Sequence, residues 1–531
     1  MEICGKKILF VCKETYSYPL YYIAQKWKEK NEIAAFFFNP VETKLNKCLL
    51  NDTTYYNYKR HKDIKLYTSN RIADLFAKYQ KNPPINYEYL KGIEKKYTKY
   101  RGLNGQILSS QFFTRNYHYR NYMFPVSYEQ QMYWLELNYR NIISILDEFN
   151  PDYIIDCDVA ELARMVLLEV CTEKKIAYLS LESTRYESYR TITFTLGIKN
   201  DNYFIRKYKE NNLLSDNVLK DEIAYIDNFR NETRIMSKEY SSDRTSKYDA
   251  VNFIETMRHI YSSYIYSVVD QDIKARNFFK KLKNPILLGN SIEFIKFNIR
   301  IEFMRNRLLK NNKYFENPIP GEKYIYMPLH LIPESSTFVK APYYINELSV
   351  IEAVSKSLPI GWYLYVKEHQ SMVGERGTDF YIKASKFPNV KLVQLNYYKD
   401  PKPWIINSMG VVTITGTTAY EAALLGKPAL VFGEIPFSLM EGVIKVNNFE
   451  DLPSLISDFS DYQVDKHSCA AYIKTVKDLG INLNMLGIMD VSLHNIRKKR
   501  ALSDELKEEL NQLENLYLRY MNENFIKEIE E

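Results

Sequence analysis

What this chain lacks narrows its class first. No two of its six cysteines (Cys4, Cys12, Cys48, Cys157, Cys171, Cys469) stand in a C-x-x-C pair, which argues against a zinc site or a disulfide scaffold and fits a reducing cytoplasm. No apolar run approaches the roughly 20 residues that a spanning helix needs. The stretch ahead of and including Ile8–Val11 is too short for a signal peptide, so the expectation is a cytoplasmic protein that reaches the cytoplasmic membrane only peripherally. Charge of one sign is scarce as well: 72 basic and 65 acidic residues leave a formal +7, too small an excess to signal nucleic-acid binding. Short-period repeats are absent. The 46 tyrosines accompany abundant Lys, Asn and Ile, a compositional bias that carries no functional weight.

What is present points to two domains of alternating strands and helices, since 531 residues exceed one ordinary core. Short apolar runs at Lys7–Cys12, Ala34–Phe38, Asp152–Asp156 and Ile176–Leu181 predict buried parallel strands, with helices over Tyr18–Lys28 and Ala160–Lys174. Residues 41–125 give no clear assignment. From about Tyr203 to Asn317 the pattern is long, charged and helical. Within it, Lys274–Lys313 mixes basic residues with Ile292, Phe294, Ile295, Phe297, Ile299 and Phe303. That mixture suits either a helix on an anionic membrane surface or, as the favoured alternative, a helix packed on its own domain.

Pro318-Ile-Pro-Gly321 punctuates the chain before a second alternating region. There Lys323–Met327, Tyr363–Val366, Val390–Val393, Val411–Ile414 and Ala429–Phe432 predict strands, and Leu506, Leu510, Leu513, Leu516 and Tyr517 predict a terminal helix. The expected plan is α/β. It places an N-terminal Rossmann-like domain over 1–200, a helical insertion or connector over 201–318, a C-terminal Rossmann-like domain over 319–470 and a helical tail over 471–531.

Three loops at predicted strand ends carry the chemistry. Around Gly416 a strand gives way to a helix within two residues, exposing backbone N–H groups to an anion, while Thr417 and Thr418 add hydroxyls. The same Thr418-Ala-Tyr-Glu421 run also matches a capping box. After Tyr363–Val366 come Lys367, Glu368 and His369, followed by Gly374-Glu-Arg376; Lys367 and Arg376 can neutralise phosphate and His369 can hydrogen-bond it. The Pro-bounded loop Pro328–Glu334 brings His330 and Glu334 to a third strand end, although His330 alone reads as a structural hydrogen-bonding histidine.

The loop Pro328-Leu-His330-x-x-Pro-Glu334, the strand end Tyr365-Val-Lys367-Glu-His369, Gly374-x-Arg376, and Thr415-Gly-Thr-x-x-x-Glu421-Ala-x-x-x-Gly426-Lys-Pro428, in this order, resemble bacterial capsule and surface-polysaccharide biosynthesis proteins. These include the capsular Kdo transferases, glycosyltransferases of GT-B architecture. The resemblance covers about residues 320–435; Gln370 stands where that family often carries proline. It implies a GT-B-like fold, a nucleotide-sugar donor held by His330, Lys367, His369, Arg376, Thr417, Thr418 and Glu421, and a glycan or glycolipid acceptor entering between the domains.

The N-terminal domain is then expected to supply a catalytic carboxylate, with Asp156, Asp158 and Glu182 as candidates at strand ends. The Asp156-Cys-Asp158 spacing also suits a divalent cation. The expectation is nevertheless a metal-independent enzyme with no cofactor, because basic groups and a helix terminus already offer neutralisation of the phosphate. Rival expectations are a nucleotide-sugar epimerase, a polyol-phosphate transferase of teichoic-acid type, and a non-catalytic nucleotide-binding assembly partner.

Overall fold

The computed structural model describes residues 3–13, 16–38, 53–79, 81–98, 102–108, 127–235, 250, 252–264, 299–310, 313–332, 334–498 and 500–522. Its short apolar runs form parallel strands covered on both faces, because crossover helices shield a parallel sheet from water on either side. In the N-terminal half these are β1 (Lys7–Cys12), β2 (Glu32–Phe37), β3 (Ile64–Thr68), β4 (Tyr153–Asp156), β5 (Ala177–Ser183) and the antiparallel β6 (Tyr189–Thr193). The C-terminal half contains β7 (Lys323–Pro328), β8 (Trp362–Lys367), β9 (Val390–Leu392), β10 (Gly410–Thr413), β11 (Ala429–Val431) and β12 (Val443–Lys445). They lie in the order β12-β11-β10-β7-β8-β9.

Each half therefore has its first strand in mid-sheet. β1 pairs in parallel with β2 and β4, and β7 pairs in parallel with β8 and β10. Connections leave such a strand toward opposite edges, so a crevice opens at the carboxyl ends of β1 and β4 and another at those of β7 and β10. These two switch points are where a doubly wound sheet presents side chains to a ligand.

The halves exchange elements. Helices Asn202–Asn211 and Lys220–Asn231 leave the first half and pack on the Lys466–Leu479 helix of the second, where Asn211 Nδ2 donates to Thr475 Oγ1 at 3.0 Å. The chain then crosses back. β13 (Ile481–Asn482) adds antiparallel to β6, and helices Met485–Lys498 and Asp504–Asn522 pack against the Ser17–Trp27 helix. Trp27 Nε1 donates to Glu514 at 2.8 Å, and the Tyr517 hydroxyl donates to the Asp156 carbonyl at 2.7 Å. The tail is thus part of the N-terminal lobe's core, and the Lys466–Leu479 helix runs unbroken through the expected boundary at 470.

In the connector, residues 274–298 of the basic, apolar stretch lie outside the described residues, whereas residues 299–310 are helical. That helix sits on the Gly374 turn. With φ at +89°, Gly374 brings its backbone so close that a Cβ would stand 2.5 Å from the Ile301 carbonyl oxygen, so only glycine fits there. No helix among the described residues is long and apolar enough to cross a membrane.

Candidate functional site

His330 ties the loops at the carboxyl edge of the C-terminal sheet together. The Thr415 N–H donates to its Nε2 at 3.1 Å, so a lone pair resides there and the ring proton belongs on Nδ1, which faces Glu347 Oε1 at 3.3 Å. Its own backbone N–H donates to the same Glu347 oxygen at 2.7 Å. The imidazole is thereby spent on joining the ends of β7 and β10, and its expected role at the donor gives way to a structural one. Gly416 follows from the same crowding, since a Cβ there would lie 2.4 Å from Thr413 Oγ1 and 3.4 Å from His330 Nε2.

Arg376 joins this hub from β8. Its Nε donates to Glu368 Oε2 at 2.7 Å, its Nη2 reaches the His330 carbonyl at 3.2 Å, and Nη2 also lies 2.7 Å from Glu347 Oε2. Burial pushes Glu347 up, but Arg376 and His330 outweigh it and hold the carboxyl below its ordinary value. With 2% of its surface exposed, Arg376 faces acids rather than phosphate, which corrects its expected place in the donor set. The sequence pattern found the right neighbourhood but could not show that Glu347, seventeen residues from His330 in the chain, would bond both His330 and Arg376.

Lys367 ends β8 in the next position along this edge, and its carbonyl accepts from Leu329 N–H at 2.8 Å. Burial pulls its amine down to about 8, partly countered by Glu368. His369 is half-buried and accepts from the Ser371 N–H at Nδ1, 3.1 Å away. Glu334 stands at the start of the Ser335–Lys340 helix without capping it. Lys367, His369, Glu334 and the Gly416 turn thus lie along one sheet edge, on loops that meet at His330.

The Gly416 turn differs from the capping-box expectation. The Thr418–Leu424 helix begins after Thr417, whose backbone is already helical and whose side chain caps nothing. Glu421 is consequently not drawn back to a backbone N–H. Among the described residues its half-buried carboxyl makes no hydrogen bond or ion pair. Burial, reinforced by Asp400 and opposed by Arg185, pushes it up to about 8. At neutral pH it is a protonated acid, able to donate a hydrogen bond or a proton.

In the N-terminal lobe the three candidate acids part company. Asp156 is fully buried, gripped by Arg164 through Nε at 2.8 Å and Nη2 at 2.7 Å, and bonded by the Tyr178 hydroxyl at 2.5 Å. A guanidinium therefore fills the place a shared metal would need, and Asp156 serves the scaffold. That corrects its expected catalytic role. Asp158 accepts the Val159 and Ala160 N–H groups at 2.7 and 3.0 Å, yet 34% of its side chain stays exposed at the β1–β4 crevice. Glu182 is covered, with both oxygens bonded by Lys340 Nζ at 2.8 and 2.9 Å.

That last contact crosses between the lobes. Lys340 closes the helix that follows β7, and Glu182 lies near the end of β5, so the carboxyl edges of the two sheets face each other. Lys199 and Lys445 meet on Glu434 at the end of β11, a second crossing of the same cleft. Two doubly wound lobes opposed by their carboxyl edges, with the chain crossing back at its end, define the architecture. The fold is GT-B-like.

Neither a protein-family model nor a curated protein matches the chain. Similar solved structures include a Thermosulfurimonas dismutans KpsC β-Kdo 2,7-transferase, at 10% identity over 63% of this chain and 79% of that one, with a TM-score of 0.31. The β-Kdo 2,4-transferase of the same organism shows 12% identity over 65% and 87%, with a TM-score of 0.28. UDP-GlcNAc 2-epimerase from Methanocaldococcus jannaschii shows 10% identity over 89% and 99%, with a TM-score of 0.24.

Proposed function

We propose that this protein is a glycosyltransferase that moves a sugar from a nucleotide-activated donor to a surface-glycan acceptor within the interlobe cleft. The observation that carries the proposal is the Glu421 carboxyl, which makes no hydrogen bond or ion pair among the described residues and is pushed up by burial, at the β10 edge of a cleft into which both sheets direct their strand ends. A half-buried acid left without a protein partner costs stability and persists where a ligand completes it.

In this proposal Lys367 and the hydroxyls of Thr417 and Thr418 bind the departing nucleotide phosphate, His369 borders it, and Glu421 donates a hydrogen bond to the donor. On the opposite wall, Asp158 is the candidate with an open edge, and it takes the proton from the acceptor hydroxyl as that oxygen attacks the anomeric carbon. His330, Arg376 and Glu347 hold the donor loops in place. A glycan or glycolipid acceptor enters from the N-terminal lobe, with peripheral contact to the cytoplasmic membrane where the acceptor is lipid-linked.

A thermal-shift panel of CMP, CDP, UDP and GDP tests donor binding, because selective binding raises the midpoint with ligand concentration. One nucleotide is expected to stabilise the protein, and its sugar conjugate to be consumed only when acceptor is added. Interconversion of the nucleotide sugar without acceptor would mean an epimerase instead. Stabilisation by none of the four would remove the proposal.

A further inference from the structure

Facing Glu421 from the N-terminal lobe is a residue that no motif singles out for ligand binding. Arg185 follows β5 by two positions. It is half-buried, close enough to Glu421 to influence its ionisation, and, like Glu421, makes no hydrogen bond or ion pair with any described residue. Charged groups on facing walls of a cleft usually collapse into a salt bridge, as Glu182 and Lys340 do nearby. Arg185 and Glu421 form no such bridge.

The φ of Arg185 is 68°, and that of Glu187 is 43°, so two non-glycine residues occupy the left-handed region on either side of the buried Tyr186. Each placement is unfavourable for a non-glycine residue and must be imposed by the surroundings. Those surroundings belong largely to other elements. The Tyr472 hydroxyl donates to the Thr184 carbonyl at 2.8 Å, the Tyr186 ring packs edge-on against Tyr225 with centroids 4.9 Å apart, and the Leu483 N–H donates to the Ser188 carbonyl at 3.1 Å. Thr184 Oγ1 closes the turn by donating to the Tyr189 carbonyl at 3.0 Å. The loop is thus fixed to the Lys466–Leu479 helix and to the connector, which sets the position of the Arg185 backbone.

We propose that Arg185 is an anion-binding residue of the transfer site, receiving phosphoryl oxygens of the nucleotide donor from the N-terminal side of the gap that it shares with Glu421. A guanidinium offers paired N–H donors that match two oxygens of a phosphate, a match that Lys340 or Lys367 cannot make with a single ammonium. A protonated Glu421 across the gap adds a donor and no opposing charge. The inference rests on the nucleotide-donor function proposed above and deepens it by adding a phosphate contact from the second lobe, so that donor binding requires both.

The test compares the full-length protein with Arg185→Asn and Arg185→Lys. Asparagine tolerates the left-handed backbone, so the loop keeps its shape, and the melting temperature without ligand checks this. Inorganic pyrophosphate, CMP, CDP and UDP are titrated by calorimetry at one ionic strength. Arg185→Asn is expected to weaken every phosphate ligand that binds the unmodified protein by about 10- to 100-fold, and Arg185→Lys to restore part of the loss. Equal affinities in the Asn variant and the unmodified protein would overturn the assignment. Pyrophosphate binding that depends on Arg185, with no nucleotide bound, would leave the anion site standing and remove the nucleotide reading. Binding of none of these ligands to the unmodified protein would overturn both.

Discussion

At the scale of single residues, the candidate site divides into groups that build and groups left over. His330, Arg376, Glu347 and Glu368 bond to one another in a buried network that joins the loops at this sheet edge. Glu421 and Arg185 are the remainder. The pH behaviour of Glu421 follows from the direction of its shift. The folded protein retains a proton that the unfolded chain loses above the ordinary value of 4.5, so this group's contribution to stability declines as pH rises from there to about 8 and stays low beyond it. Burial is the main cause of this shift, with Asp400 adding to it and Arg185 opposing it. Glu421→Gln is expected to remove that decline, making the variant gain relative to the unmodified protein in urea midpoints measured between pH 5 and 9. Parallel midpoint curves across this range would show that the carboxyl is ionised throughout.

Elements were legible where their pattern is local. The buried strands at Lys7–Cys12, Val390–Leu392 and Ala429–Val431 follow from short apolar runs, because a strand covered on both faces needs no polar alternation. β3 and β6 carry Lys65, Thr68, Arg190 and Thr191 among their few residues and take their identity from sheet partners far away in the chain. The 22-residue Tyr128–Phe149 helix, absent from the sequence-based expectations, opens on a reciprocal capping box, with Gln130 N–H donating to Ser127 Oγ at 3.2 Å and Ser127 N–H to Gln130 Oε1 at 2.8 Å. By contrast, the same signature at Thr418 and Glu421 goes unused, because the helix starts one residue earlier than the motif requires, which makes Thr417 rather than Thr418 the N-cap. A capping box is therefore informative only where the chain leaves both side chains free to turn back. Ser127→Ala is expected to cost about 1 kcal/mol in urea unfolding; a value near zero would mean that packing alone holds that helix end. In the site, Lys367 and the Gly416 turn were readable as strand ends, whereas the pairing of Arg376 with Glu347 and the exposure of Arg185 depend on tertiary contacts that spacing does not encode.

Across the whole molecule, the two lobes are bound into one body by exchanged elements. The connector helices pack on the C-terminal lobe, and the tail packs on the N-terminal one, where Tyr517 holds the carbonyl of Asp156 and the Tyr520 hydroxyl meets Thr191 Oγ1 at 2.8 Å. This crossing fixes which sheet edges oppose each other, and the Lys340–Glu182 contact sets them face to face. The cleft is thereby a product of the long-range topology, with the loops after β7, β8 and β10 on one wall and Asp158 and the β5–β6 turn on the other. Hydrogen–deuterium exchange with and without the stabilising nucleotide examines that arrangement most directly. Ligand is predicted to slow exchange together in the loops spanning 329–337 and 415–421 of one lobe and in 183–189 of the other. Protection confined to segments away from these three, with the cleft exchanging at the same rate in both states, would contradict the account.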